Sequence, residues 1–175
     1  MTADIYYAKI HKRRISLEGD DIMYDVKQVV QFFLARSSMT PKKLQKLLYY
    51  AYAWTLALLN ESDKEINFRL FSEPIQAWVH GPVVPSVYNE YKRFGWNEIP
   101  RVESFNDDIF SEDVLDILNQ VWEVYGSLSG NELEEISHKE RPWKEARKDV
   151  PAYASSDEEI SDRVIFEFFN EQAAG

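Results

Sequence analysis

Cysteine is absent from this chain of 175 residues, and glycine and histidine are scarce, with six and three copies. Without a thiol there is no disulfide, no cysteine-ligated zinc or iron–sulfur cluster, and no cysteine nucleophile. His11, His80 and His138 are too far apart along the chain to form a helical zinc pair. The glycines form no phosphate-binding loop, dinucleotide-binding fingerprint or nucleophile elbow. We therefore expect no catalytic residue, no metal ion and no cofactor.

Long hydrophobic runs are also lacking. The longest apolar stretch, residues 44–59, is interrupted by Gln45, Lys46 and Thr55, and it is shorter than the ~20 residues that a helix needs to cross a bilayer. The first ten residues do not form the continuous apolar run of a signal peptide. We therefore expect a cytoplasmic protein with no membrane partner.

The charge is predominantly acidic and unevenly distributed. Twenty basic and thirty acidic residues give a net charge of −10. Residues 1–50 contain nine basic and five acidic residues, whereas residues 103–175 contain six and nineteen. The acidic part would repel nucleic acid and attract a basic protein partner. The alternative is that these charged residues only form the solvated faces of helices.

Hydrophobic periodicity predicts a mainly α fold: a single compact domain of about six helices around a buried central helix, with a minor short-strand component. Thr40 and Pro41 mark the start of the central helix, because threonine caps a helix and proline suits its first position. The stretch that follows is apolar on nearly all faces, which predicts burial on all sides. We expect this domain to span residues 23–172, preceded by an N-terminal arm or edge strand at residues 1–22.

The remaining patterns predict shorter elements. Alternation over residues 75–79 predicts a strand, and residues 99–105 predict a second one. Residues 80–85 are expected to be irregular, because Pro82 disfavours helical angles at Gly81 and glycine permits angles closed to other residues. Overlapping capping boxes over residues 155–159 predict the start of a last helix.

Three segments carry a resemblance to a known family. They are Lys43–Trp54, Glu73–Tyr88, which contains Trp-Val-His-Gly-Pro-Val-Val-Pro, and Ser137–Trp143, which contains His-Lys-Glu-Arg-Pro-Trp. In order and spacing they resemble the Panacea domain of the SocA-like antitoxins, a family that includes phage-associated GepA-like proteins. The resemblance extends over about residues 24–169 and does not include residues 1–22.

The resemblance implies a helical domain encoded beside a toxin gene in bacteria, phages and prophages. Members neutralise toxins by direct binding, one member delivers its toxin to a Clp-type protease, and no catalytic activity is established for the domain. We therefore expect an antitoxin of a type II-like toxin–antitoxin system, not an enzyme. Its expected partner is a cognate toxin of basic character, and delivery to a Clp-type protease is a further expectation.

Two groups of residues are candidates for partner binding. The first, which we call the signature residues, either shapes the binding surface or supports it from behind, and comprises Trp78, His80, Gly81, Pro82, Val83, Pro85, Tyr88 and Trp143. The second is the arm, with Tyr6, Tyr7, Arg13 and Arg14. For the aromatic members, packing in the core is the alternative.

Two other classes of function stay open. The arm mixes cations with aromatic rings, a pattern seen in proteins that bind single-stranded nucleic acid, so a nucleic-acid-binding regulator is the alternative function. Such binding is disfavoured by the net negative charge. An unrecognised hydrolase would need a polar cleft that joins His80 or His138 to an acid.

Overall fold

A computed structural model describes Ile10 and residues 23–174 and shows, within them, seven α-helices, two 3₁₀ segments and one β-hairpin. The helices are α1 Val26–Leu34, α2 Pro41–Leu59, α3 Pro85–Tyr91, α4 Glu112–Tyr125, α5 Gly130–Lys139, α6 Arg141–Ala146 and α7 Asp162–Ala174. The strands are β1 Gln76–Trp78 and β2 Gly81–Val83, and the 3₁₀ segments are Lys92–Phe94 and Asp107–Ile109. The predicted mainly helical fold is confirmed. The predicted arm, apart from Ile10, lies outside the described residues.

Helix α2 forms the centre of the fold, as predicted. The Thr40 side chain caps it by accepting from the Lys43 backbone N–H, and Pro41 is its first residue. Every residue from Leu44 to Leu59 is buried, because α4, α5, α7, α1 and the hairpin all pack around it. None of the described helices is long and apolar enough to cross a membrane.

Aromatic side chains form much of the core around α2. Tyr50 stacks on Tyr125 of α4 with ring centroids 4.1 Å apart, and the Trp54 indole N–H donates to the Tyr125 hydroxyl at 3.1 Å. Phe169 of α7 meets Trp54 edge to face at 5.1 Å. These rings pack in the core, and the polar tips of Tyr50, Trp54 and Tyr125 all have partners, as buried Tyr and Trp require.

The hairpin corrects the prediction of an irregular segment at residues 80–85. Strand β2 pairs antiparallel with β1, with Ala77 opposite Pro82 and Trp78 opposite Gly81. The N–H and C=O of Ala77 point away from β2, since they bond Glu158 and Arg147. Ala77 and Pro82 therefore form a non-hydrogen-bonded pair, where the N–H that proline lacks is not needed.

Two other boundaries differ from prediction. Helix α7 begins at Asp162, because the preceding residues run extended beside β1: Ala77 N–H donates to Glu158 C=O and Ile160 N–H to Ile75 C=O, both at 2.8 Å. The strand predicted at residues 99–105 is only an isolated bridge between Met39 and Ile99. Long-range backbone pairing therefore overrides the local pattern before α7, whereas at residues 99–105 the strand pairing is limited to Ile99.

Candidate functional site

The hairpin is fixed to the start of α2 by two polar side chains. Gln45 forms a pair of hydrogen bonds with the Val84 backbone: its Oε1 accepts from the N–H at 2.8 Å and its Nε2 donates to the C=O at 3.2 Å. Lys46 Nζ donates to the Pro82 C=O at 3.0 Å. Both side chains are buried, so two of the three residues that interrupt the apolar run satisfy backbone groups of Pro82 in β2 and of Val84 just after it.

Gly81 lies where α2, α5 and the hairpin meet. Its φ of +97° belongs to the region that side chains disfavour. A Cβ atom at this position would lie 2.7 Å from Lys46 Cε and 2.9 Å from Ser137 Oγ. Both the backbone conformation and the lack of space require glycine here. The sequence predicted the unusual conformation but not the lack of space.

Lys46 is a fully buried cation. Burial lowers its pKa from an ordinary 10.5 to about 7, and this effect outweighs the nearby carboxylate of Glu134, which raises the pKa. Lys42 adds a further lowering through charge repulsion. The ammonium of Lys46 is therefore a costly group that the chain keeps next to the hairpin.

Lys46 should make stability depend on pH. Its pKa is about 7 in the folded chain and about 10.5 when unfolded, so between these values the unfolded state binds more protons. The free energy of unfolding should therefore rise with pH through this window. Denaturation at pH 6, 8 and 10 should show the rise in the wild type and a flatter profile in Lys46→Met. The same rise in both proteins would contradict this assignment.

His80 occupies the turn between the strands and is paired with an acid. Its Nδ1 lies 2.9 Å from Glu134 Oε1, and Lys42 pairs with the other oxygen of Glu134. Burial raises the pKa of Glu134, but hydrogen bonds from Lys42 and His80 outweigh it and hold the pKa below its ordinary value. This is the histidine–acid contact that the hydrolase alternative requires. Ser137, however, is buried and donates its hydroxyl to the Glu134 C=O at 2.9 Å, so it is not available to His80 as a nucleophile.

Trp143 supports the hairpin from behind. Its indole N–H donates to the Trp78 C=O at 2.9 Å, and its ring stacks on His138 at 4.1 Å. Burial lowers the pKa of His138 despite the opposing effects of Glu134 and the Val79 backbone, which favours a neutral imidazole at pH 7. Trp143 and His138 therefore serve here as a packing pair.

The structure brings all eight signature residues together. Trp78 meets Tyr88 edge to face at 4.9 Å, and Pro85 is the first residue of α3. Val83 is buried, whereas His80 and Tyr88 are exposed. The exposed members form a surface on the hairpin and α3, and the buried ones support it. Tyr6, Tyr7, Arg13 and Arg14 lie outside the described residues.

Arg147 is a supporting residue that sequence reasoning missed. It is buried, and its Nη1 donates to the Ala77 C=O at 2.8 Å. Its Nη2 bonds three carbonyls of the following turn, the shortest being that of Ala154 at 2.8 Å. It thereby joins β1 to residues 151–154, and no local pattern marks it among the other basic residues of the acidic part.

A polar cavity of about 720 Å³ lies between residues 63–75 and 159–163. On its wall, Asp162 accepts from the Tyr52 hydroxyl at 2.8 Å and from Arg69 Nε at 2.7 Å. These charged groups satisfy one another. Among the described residues, no group of three His, Asp or Glu could hold a metal ion.

Comparison with known proteins defines the class. The model of the family described as "Antitoxin SocA-like, Panacea domain" matches residues 44–144, which is more than half of the chain. The chain belongs to this antitoxin family, which confirms the resemblance seen in the sequence. The matched range starts within α2, ends within α6 and includes the whole hairpin. No significant match is found among curated proteins or solved structures.

Proposed function

We propose that this chain is the antitoxin of a type II-like toxin–antitoxin system and neutralises one cognate toxin by direct protein–protein binding. Family membership over residues 44–144 carries the proposal. The range includes the hairpin that α2 and Trp143 hold in place. The chain performs no reaction in this account: it occludes the active surface of the toxin.

The outer side of the hairpin offers a pre-formed binding surface. Trp78 and His80 of the hairpin and Tyr88 of α3 are partly or fully exposed, while Lys46 and Gln45 fix the backbone of Pro82 and Val84 from below. A stable complex would bury about 1,600 Å², with a few aromatic anchors dominating the affinity. A surface whose shape is set before binding loses less conformational entropy when the partner docks.

Charge supports a basic toxin. The strongly acidic part of the chain, residues 103–175, would accelerate the approach of a positively charged protein. The arm, residues 1–22, is a second candidate contact because it precedes the matched range. Delivery of the bound toxin to a Clp-type protease and action in the cytoplasm complete the proposal.

Co-expression with the neighbouring reading frame tests the proposed function. That frame should stop growth when expressed alone, and this chain should restore growth. A catalytically dead toxin should co-purify with the chain, because binding does not depend on the toxin's activity. A harmless neighbour, or a neighbour that stays lethal in the presence of this chain, would contradict the proposal.

A further inference from the structure

Trp96 is an aromatic side chain that the fold leaves in solvent. Its exposed fraction is 88%, whereas Trp54 is fully buried in the core. Asn97 N–H donates to the Phe94 C=O at 2.8 Å, and Gly95 has φ +55° and ψ −115°. These angles match the first central position of a type II′ turn. The turn, not side-chain packing, places the indole outward.

Trp96 belongs to the same surface as the hairpin. Lys42 Nζ lies 6.0 Å from the centre of the Trp96 ring and also pairs with Glu134. Glu134 in turn contacts His80 at 2.9 Å. These side chains form a continuous row from the turn at Trp96 to the tip of the hairpin, which we call the Trp96–His80 row.

Two exposed cations precede Trp96, although the chain as a whole is acidic. Lys92 and Arg93 are exposed just before the turn, and within residues 23–174 neither forms an ion pair. Lys92 only donates to the Asn89 side chain at 3.2 Å. A partner surface complementary to these two cations would carry carboxylates opposite them, even where the partner is basic as a whole.

We propose that Trp96 anchors the cognate toxin by entering an apolar pocket, with carboxylates of the toxin facing Lys92 and Arg93. This inference rests on the proposed function. An exposed indole on a rigid turn contributes little to the core, but it offers a large apolar area at low entropic cost, and tryptophan is enriched among the residues that dominate interface affinity. Trp96 also lies between the segments that carry the family resemblance, Glu73–Tyr88 and Ser137–Trp143, and therefore suits recognition of one particular toxin.

Trp96→Ala tests the anchor, with Tyr153→Ala as the matched control, because Tyr153 is an equally exposed aromatic residue at 94%. Binding to inactive toxin is measured by calorimetry. Trp96→Ala should raise Kd about 30-fold or more, and Tyr153→Ala should change it less than about threefold. The Kd of Trp96→Phe should lie between those of Trp96→Ala and the wild type. Denaturation curves of all three variants should match the wild type, since neither ring packs in the core.

The remaining outcomes distinguish failure of the Trp96 anchor from failure of the proposed function. If Trp96→Ala binds as tightly as the wild type, or if Tyr153→Ala weakens binding as much, Trp96 is not the anchor and the proposed function still stands. Tight binding of single-stranded oligothymidylate at low salt, abolished by Trp96→Ala, would make the row a stacking platform for nucleic acid instead. A wild-type chain that binds no toxin would overturn the proposed function itself.

Discussion

Gly81→Val should destabilise the protein by about 4 kcal/mol, since two costs act together. A side chain at a φ of +97° costs ~1–3 kcal/mol in backbone strain. The new Cβ atom would also collide with Lys46 Cε and Ser137 Oγ, each within 3 Å, and overpacking of this kind costs a further ~1–3 kcal/mol. Because Lys46 holds the Pro82 backbone, displacing it should loosen the hairpin and weaken neutralisation as well.

Gly95→Ala is the matched control for this variant. Gly95 also has a positive φ, +55°, but an added Cβ would meet nothing within 4 Å. Only backbone strain of about 1–2 kcal/mol should remain. Urea denaturation of both variants separates strain from collision. A Gly81→Val protein as stable as Gly95→Ala would contradict the packing at α2. A stable but inactive Gly81→Val protein would make the segment a direct contact site.

Arg147→Met should cost about 3–4 kcal/mol. The variant removes a buried guanidinium whose two shortest bonds, to the Ala77 and Ala154 carbonyls, are both 2.8 Å long. Hydrogen bonds from charged donors contribute ~1.5–3 kcal/mol each, and buried carbonyls left without a partner add a desolvation cost. Loss of these hydrogen bonds should separate residues 151–154 from β1. Methionine keeps the aliphatic part of the side chain but has no hydrogen-bond donor.

Arg163→Met is the control for Arg147→Met, because it makes the same substitution at a solvated arginine. The Arg163 Nε lies 3.1 Å from Asp63 and 2.9 Å from Glu167, with 69% of the side chain exposed. Exposed pairs contribute little, so the loss should be much smaller than that of Arg147→Met. Thermal and urea denaturation at low and high salt would measure both variants. Equal losses at the two positions would refute the structural role of Arg147.

The parts of the fold that were predictable have strong local signals. Thr40 and Pro41 begin α2, and the near-continuous apolar run after them indicates burial, which the structure confirms. The spacing of Ser129 and Glu132 is that of a capping box, and the two side chains form one at the start of α5. Such signals depend on residues three or four positions apart, and a sequence displays them directly.

The supports of the hairpin were not predictable, because their partners are distant along the chain. Gln45 bonds Val84, 39 residues away, and Arg147 bonds Ala77, 70 residues away. In the sequence, Gln45 and Lys46 only interrupt an apolar run. The strand register that accommodates Pro82 likewise depends on Ala77, whose backbone bonds Glu158 and Arg147 instead of β2. No pattern around Pro82 in the sequence indicates these bonds.

The candidate site was identified through its family motifs, but its division into exposed and supporting residues came from the structure. Trp143 and His80 are both motif residues, yet one bonds the hairpin from behind and the other lies in solvent. Trp96 illustrates the same limit: the apolar run around Trp54 predicts burial, whereas no pattern around Trp96 predicts that its side chain is exposed.

Titration of toxin activity with purified chain tests the central claim most directly. If the chain acts only by binding, inhibition should be immediate and should increase in proportion to added chain until a fixed molar ratio, beyond which no activity remains. The inhibited toxin should regain full activity when the complex is denatured and the toxin is refolded alone. Loss of toxin activity that progresses with time at far less than one chain per toxin, and that persists after separation, would show that this chain is an enzyme and contradict the account.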